Sequence, residues 1–327
     1  MNPAERDGPL RVLWRSAPPD GGPPAIPGVV VRIESDLETA NAHRDWADVL
    51  VDGRASPLLD GARLRHVLVP WAGLNDELRE ALVARPHLRA HNSHYNAPFV
   101  AEHMVAMLLA LAYRLREGDA ALRRGDWGER DRPLRSTYLA GARALLLGYG
   151  RIARAATPAL RAFDLELTAV RRRPDAGAEP VREIGPGDVA AVLPSVGIVL
   201  CSLPGTPATN GMMDAAALAA LPRGALVVNV GRAAVFDEDA LFEALASGHL
   251  GGAALDVWYR YPEGPEARRD FPPANRPFWE LPNVLMSPHR ADASERSAGA
   301  RLADVSATLA ALARGESRSA LDVEAGY

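Results

Sequence analysis

The 327-residue sequence predicts an α/β protein built on a parallel sheet covered by helices on both faces. Three observations predict it. Short apolar runs alternate with helical patterns from Ala144 to Met286. A glycine turn, Gly148-Tyr149-Gly150, joins one such run to a helix start. The first 96 residues carry a similar alternation without a phosphate loop, which predicts a second, smaller α/β unit.

In the smaller unit the expected strands are Leu10–Leu13, Val29–Ile33, Ala47–Val51, Leu64–Val69 and Leu88–His91, with a helix at Asp76–Ala84. Asn96-Ala97-Pro98 opens a long helix, because Asn caps well and Pro is tolerated in the first turn. That helix is expected to run through Val100, Met104, Leu108 and Leu115. It is apolar on more than one face, so it should be buried between domains or subunits. Gly118–Arg135 reads as a polar connection, and the Pro-rich stretches Pro18–Pro27 and Pro262–Pro277 as surface loops.

The central strand, Ala144–Leu147, is followed by strands at Leu165–Val170, Val196–Leu203, Ala225–Val230, Ala253–Val257 and Val284–Met286. Helices are expected at Asp214–Leu221, from Asp237 to Gly248, and near Ser294–Ala313, the last returning to the first domain. In the turn, Gly148 permits a tight bend and Gly150 permits close backbone approach to a pyrophosphate. Ala153 fills the third small position of a G-x-G-x-x-A pattern, between a strand and a helix as that pattern requires. A helix N-terminus there offers free N–H groups to phosphates.

Composition narrows the function. Hydrophobic residues make up 48%, enough for a large core. The net charge of −4 and the lack of a long basic run argue against a nucleic-acid partner. No Lys occurs, which removes Schiff-base and P-loop lysine chemistry. The single cysteine, Cys201, has no internal disulfide partner and fits a reducing cytoplasm. Met1–Leu10 lacks a signal-peptide core, and the apolar run Met104–Ala112 is shorter than the ~20 residues of a membrane span.

Ligands of such sheets bind beyond the carboxyl ends of the strands. Two residues there form a chemically useful pair. Arg232 offers a planar fork for a carboxylate, and His289 exchanges a proton near neutral pH. A nicotinamide cofactor carries hydride but leaves the hydroxyl proton to the protein. One cation and one acid/base beside it suit a 2-hydroxy acid.

The motifs Asn229-Val230-Gly231-Arg232-Ala233, Ala254-Leu255-Asp256-Val257 and Ser287-Pro288-His289 resemble the D-isomer-specific 2-hydroxyacid dehydrogenases. So do Val69-Pro70-Trp71-Ala72-Gly73-Leu74, Val100-Ala101-Glu102-His103 and Leu203-Pro204-Gly205-Thr206-Pro207. The resemblance covers nearly the whole chain in order. It implies a central Rossmann domain, residues 98–288, and a flavodoxin-like substrate domain made from residues 1–97 and 289–327. It implies Arg232 as substrate clamp and His289 as acid/base. Ala72, Gly73 and Leu74 would hold the substrate carboxylate, and Asn96 stands where the formate branch of the family places a substrate-contacting Asn. The dinucleotide would meet Gly148, Tyr149, Gly150, Arg151, Ile152, Leu203, Pro204, Thr209, Val230, Gly231 and Asp256. A homodimer around the long helix is implied as well.

The sequence departs from the family at two places. Tyr261 occupies the position of the catalytic Glu, so a neutral phenol replaces a carboxylate beside the His. Glu263, just past Pro262, is a less favoured substitute. At the end of the second strand, where NAD enzymes carry an acid for the ribose, the chain reads Arg171-Arg172-Arg173. Arg accepts a 2′-phosphate, so NADP is expected, with NAD as the alternative. Arg260 and Arg290 flank the site and suit a doubly charged substrate such as a phosphonate or phosphate, or are plain loop arginines. His91, His94 and His103 match no metal motif. Tyr149 is expected to face solvent, and Trp258 and Tyr259 to pack at the domain seam. The rival readings are formate oxidation in the same fold and a non-catalytic, dinucleotide-sensing corepressor.

Overall fold

A computed structural model describes residues 8–15, 22–131, 136–175, 181–264 and 266–324. The first residues, the start of the Pro18 stretch, the end of the connection to Arg135, and Pro265 lie outside the described residues. The chain divides into two compact units, Met1–Asn96 with Ala293–Tyr327, and Ala97–Asp292. Residues 97 and 289–292, assigned from sequence to the neighbouring unit in each case, fall with the larger one.

The smaller unit is a parallel sheet of β1 (Leu10–Trp14), β2 (Val29–Ile33), β3 (Val49–Val51), β4 (His66–Val69) and β5 (Arg89–Asn92), in the order β2-β1-β3-β4-β5. This is the flavodoxin-like order. Alternate residues feed opposite faces. Leu13, Leu50, Val67 and Val69 pack with Leu78 and Leu82 of α2 (Asp76–Val83). Val12, Trp14, Val49, Val51 and Leu68 pack with Val305, Leu309 and Leu312 of the last helix (Ser297–Ala313). A further helix, α1 (Leu37–Ala42), is capped by Asp36, whose side chain accepts from Thr39 N–H. Its six residues are too few to show a periodicity in the sequence.

The larger unit carries seven parallel strands: β6 (Arg143–Leu147), β7 (Glu166–Val170), β8 (Arg182–Ile184), β9 (Ile198–Cys201), β10 (Leu226–Asn229), β11 (Gly252–Leu255) and β12 (Val284–Met286). Their order is β12-β11-β10-β9-β6-β7-β8. The chain leaves β6 to build one half of the sheet and returns to β9 for the other, so the switch point lies between them. Leu145 and Leu147 point to one layer, Ala144 and Leu146 to the other, and all four are fully buried. Burying a Leu of this kind contributes about 1.5–3 kcal/mol.

The long helix is shorter than its apolar pattern suggests. α3 (Ala97–Ala112) stops before Arg114, which takes a left-handed conformation at φ 52°, and α4 (Leu115–Leu122) departs at 61°. Most of α3 is spent against α5 (Arg151–Ala162) and the sheet, with Val100, Met104, Met107 and Leu108 buried. Exposed apolar side chains follow on α4 and its flanks: Tyr113, Leu115, Leu122 and Trp127. No single described helix is long and apolar enough to cross a membrane. The Pro262–Pro277 segment is anchored, not simply superficial: Ala274 is buried, and Glu238 accepts from the N–H groups of Asn275 and Arg276.

Candidate active site

The glycine turn follows β6 directly. Gly148 has φ 90°, and a Cβ there would lie 3.0 Å from Leu203 Cδ2, so the bend and the packing both require glycine. Gly150 is the N-cap of α5 and has no side-chain cap; a Cβ there meets nothing within 4 Å. Ala153 and Ala156 are buried, which lets α5 lie close on the sheet. The first turn carries no acid. Uncapped N–H groups facing open space fit the diphosphate of a dinucleotide. Arg151 is exposed and Ile152 half-buried. Tyr149, expected to face solvent, is half-buried against the core, with the Arg154 guanidinium 5.1 Å from its ring centre.

β9 and β10 end side by side. A Cβ on Gly231 would lie 2.5 Å from the Leu203 carbonyl, so only glycine fits that approach. Thr209 closes the neighbouring loop, donating to the Pro204 carbonyl at 2.6 Å. Buried Asn229 accepts from Gly231 N–H and donates to the Arg232 carbonyl, both at 3.0 Å, which fixes the turn that presents Arg232. Arg232 is exposed, and its Nη1 donates to the Gly231 carbonyl at 2.8 Å. Val230 is buried beneath this turn.

His289 stands after β12 with φ 51°, unusual for a side-chain-bearing residue. Asp256, 1% exposed after β11, holds it there. Its carboxylate accepts from Ser287 Oγ, from Arg290 N–H at 3.0 Å and from Ala291 N–H at 3.1 Å. His103 Nε2 lies 3.5 Å from the same carboxylate and 3.2 Å from Ser287 Oγ. Asp256, expected at the cofactor, therefore spends its oxygens on the segment around His289. Ser287 and His103 were not foreseen in that role.

Tyr261 packs its ring against His289, centroids 5.4 Å apart and tilted by 53°. Its hydroxyl accepts from Trp258 N–H at 3.0 Å, so it meets the imidazole by ring contact and not through the hydrogen bond a carboxylate would make. Burial pushes the phenol above its ordinary pKa. His289 is exposed, yet the protein around it pushes its pKa below the usual 6.5. The Arg232 charge adds to that shift, and Asp256 and Asp292 oppose it. Trp258 Nε1 donates to the Ser287 carbonyl at 2.8 Å, and Tyr259 stacks on Phe278, so both pack inside the larger unit. A cavity of 810 Å³ opens beside His289, Tyr261 and Trp258. Glu263 is exposed and is not among its lining residues.

At the end of β7, Arg171 is held by Glu183 of β8. Arg171 Nη1 donates to Oε2 at 2.9 Å and Oε1 at 3.2 Å, and that carboxylate is almost wholly buried. Arg172 and Arg173 follow it, exposed. In the smaller unit, Trp71–Leu74 follows β4. Asn92 Nδ2 donates to the Ala72 carbonyl at 2.8 Å, and Ser93 N–H bonds the carbonyls of Val69 and Trp71. Ala72, Gly73, Leu74 and Asn96 are all half-buried. His91 Nε2 lies 3.0 Å from His66 Nδ1, and Cys201 is wholly buried, with its thiol pushed up to about 12.

Three parallel-strand ends of the larger unit thus present Arg232, Tyr261 and His289, and a fourth carries a dinucleotide-type turn. Residues 105–291 match the NAD-binding domain of D-isomer specific 2-hydroxyacid dehydrogenases, more than half of the chain, and the protein belongs to that family. It is 30% identical over 239 residues to D-3-phosphoglycerate dehydrogenase of Mycobacterium leprae, covering 72% of this chain and 42% of the relative. It is 32% identical over 190 residues to hydroxyphenylpyruvate reductase of Plectranthus scutellarioides, covering 58% and 56%. The matched stretches thus span about half or less of these relatives' length. Among solved structures, a D-isomer specific 2-hydroxyacid dehydrogenase from Xanthobacter autotrophicus Py2, in complex with NADPH and MES, superposes with TM-score 0.75 at 25% identity, covering 98% of this chain and 100% of that one. An NADPH-dependent glyoxylate/hydroxypyruvate reductase from Sinorhizobium meliloti, in complex with NADP and malonate, gives 0.71 at 25%, covering 97% and 98%.

Proposed function

We propose that the protein is an NADP(H)-dependent D-2-hydroxyacid dehydrogenase that works as a 2-oxo acid reductase. The observation that carries this reading is the placement of Arg232 after β10 and His289 after β12, close enough for the Arg232 charge to act on the imidazole, in the unit that carries the Gly148–Gly150 turn. When bound, the nicotinamide supplies hydride to the 2-oxo carbon. Arg232 grips the substrate carboxylate and polarises its carbonyl, and its charge counts most as the oxygen becomes an alkoxide. His289 delivers the proton to that oxygen from a ring nitrogen. Gly148, Gly150 and the start of α5 cradle the diphosphate. Arg171, pre-oriented by Glu183, and Arg172 receive the 2′-phosphate. The relatives solved with NADP or NADPH support that preference. Ala72, Gly73, Leu74 and Asn96 belong to the same proposal as substrate contacts, and a reducing cytoplasm as its setting.

The test is NADPH consumption with a panel of 2-oxo acids, with formate oxidation as the control. His289→Ala is expected to abolish reduction while NADPH still binds by fluorescence titration. A His289→Ala variant that keeps most of its rate removes the acid/base assignment. Formate oxidation without reduction of any 2-oxo acid moves the protein to the formate branch. Tight NADPH binding with no turnover at all favours the sensor reading.

A further inference from the structure

We infer that the cavity beside His289 receives the tail of the substrate, and that this tail is apolar along its stem and anionic at its far end. The inference rests on the 2-oxo acid reading above and specifies the substrate class. The cavity's 810 Å³ falls in the range of roughly 300–1,000 Å³ found for pockets that bury drug-sized ligands, and is far more than a minimal 2-oxo acid fills. Trp258, Tyr261, Phe271 and Pro273 supply apolar walls, and Arg260 and Arg268 supply cations.

The charges decide the class. Arg260 lies with its guanidinium carbon 4.9 Å from the centre of the Phe271 ring, a cation–π contact that orients the fork without neutralising it. Arg276, further along the same segment, is paired with Asp239 and Glu243. Neither Arg260 nor Arg268 has an acid partner among the described residues. The acids Glu263, Glu266 and Asp270 of the same segment do not line the cavity; Asp292 is the one lining acid. Where the family resemblance implies a Glu, Tyr261 adds no negative charge to the wall. The cavity therefore has apolar walls and an excess of positive charge. An alkyl or aryl stem suits the first, and a carboxylate or phosphonate gripped by guanidinium groups suits the second.

Arg290 does not line the cavity, and its backbone N–H is bonded to Asp256. The selectivity belongs to Arg260 and Arg268.

The experiment compares kcat/KM, with NADPH and the full chain, for 2-oxoadipate and the length-matched 2-oxohexanoate. A phosphonate-ended 2-oxo acid of similar length tells which anion is preferred. The anion-ended substrate is expected to be favoured by about tenfold or more, chiefly through KM. The Arg260→Glu/Arg268→Glu double variant is expected to invert that order. On the unmutated protein, adipate is expected to inhibit competitively at lower concentration than hexanoate, which tests the cavity even if the double variant does not fold. Equal kcat/KM for the matched pair, or a preference that survives in the folded double variant, overturns the inference. Absence of turnover with every 2-oxo acid removes the functional reading and this inference with it, a result distinct from turnover without preference.

Discussion

Asp256 accepts from Ser287, Arg290 and Ala291, and so clasps the segment on both sides of His289. An amide at that position would turn a donor toward groups that themselves donate, leaving buried N–H groups unpaired at about 1–3 kcal/mol. Asp256→Asn is therefore expected to lower Tm and to depress kcat for 2-oxo acid reduction far more than it weakens NADPH binding. Calorimetry and stopped-flow rates check both. Burial and the Arg232 charge hold the His289 pKa below 6.5, and reduction needs the protonated ring. The reductive kcat/KM should thus decline as pH rises through a value below 6.5. Tyr261→Glu places a carboxylate where the phenol now packs, favours the imidazolium, and should move that limb upward. A limb that moves downward or stays in place contradicts the geometry. Arg232, His289 and the two glycines were legible in the sequence because each is a residue type demanded at one strand end. The Asp256 clasp was not, because it joins residues more than thirty positions apart through hydrogen bonds no pattern announces.

Strand β8 illustrates what pattern reading misses at the next scale. Arg182-Glu183-Ile184 has no apolar run, yet it pairs with β7 and buries Glu183 opposite Ala169. Because Glu183 holds Arg171, replacing Arg171 by an acid would set two carboxylates together and confound any cofactor result. Arg172→Asp is the cleaner change. It is expected to lower kcat/KM for NADPH, both absolutely and relative to NADH, and a protein that strongly prefers NADH before mutation contradicts the assignment. In the smaller unit, β4 and β5 join through two imidazoles. His91 Nδ1–H donates to the Arg318 carbonyl, so its Nε2 is the acceptor for His66 Nδ1–H at 3.0 Å. His91 must be neutral for that chain to close, because its Nε2 accepts. Burial holds His66 down to about 4, and His91 is lowered as well. The unfolded chain then binds more protons than the folded one between 6.5 and 4, so stability is complete above 6.5 and falls as pH drops through that window. Urea midpoints measured across it should show the decline, and His66→Gln should flatten it.

For the whole molecule, the regular alternation made both sheets visible in advance, since the inner strands are buried on both faces and read as apolar runs. The break after α3 stayed hidden because its cause is one left-handed residue, Arg114, in a stretch whose apolar residues continue to Leu115. That break moves the exposed apolar surface from α3 to α4, where Leu115, Leu122 and Trp127 are more than half exposed. A surface of that kind on a chain of this family suits a second copy of itself. Light scattering is expected to give a dimer, and Leu115→Glu with Leu122→Glu to give a monomer. A monomeric unmutated protein contradicts this.

Cys201 lies at the centre of the larger sheet, between Leu147 and Asn229 on its two neighbours, wholly buried and with its thiol pushed up to about 12. It is the chain's one cysteine. A thiol reagent thus has a single target, reachable only when the layer packed on that face of the sheet lifts away. The rate of alkylation becomes a count of how often the core opens at the very place where the glycine turn begins. A dinucleotide that bridges β6 and β9 at their ends would slow that rate, giving a label-based measure of cofactor binding that requires no turnover and no substrate.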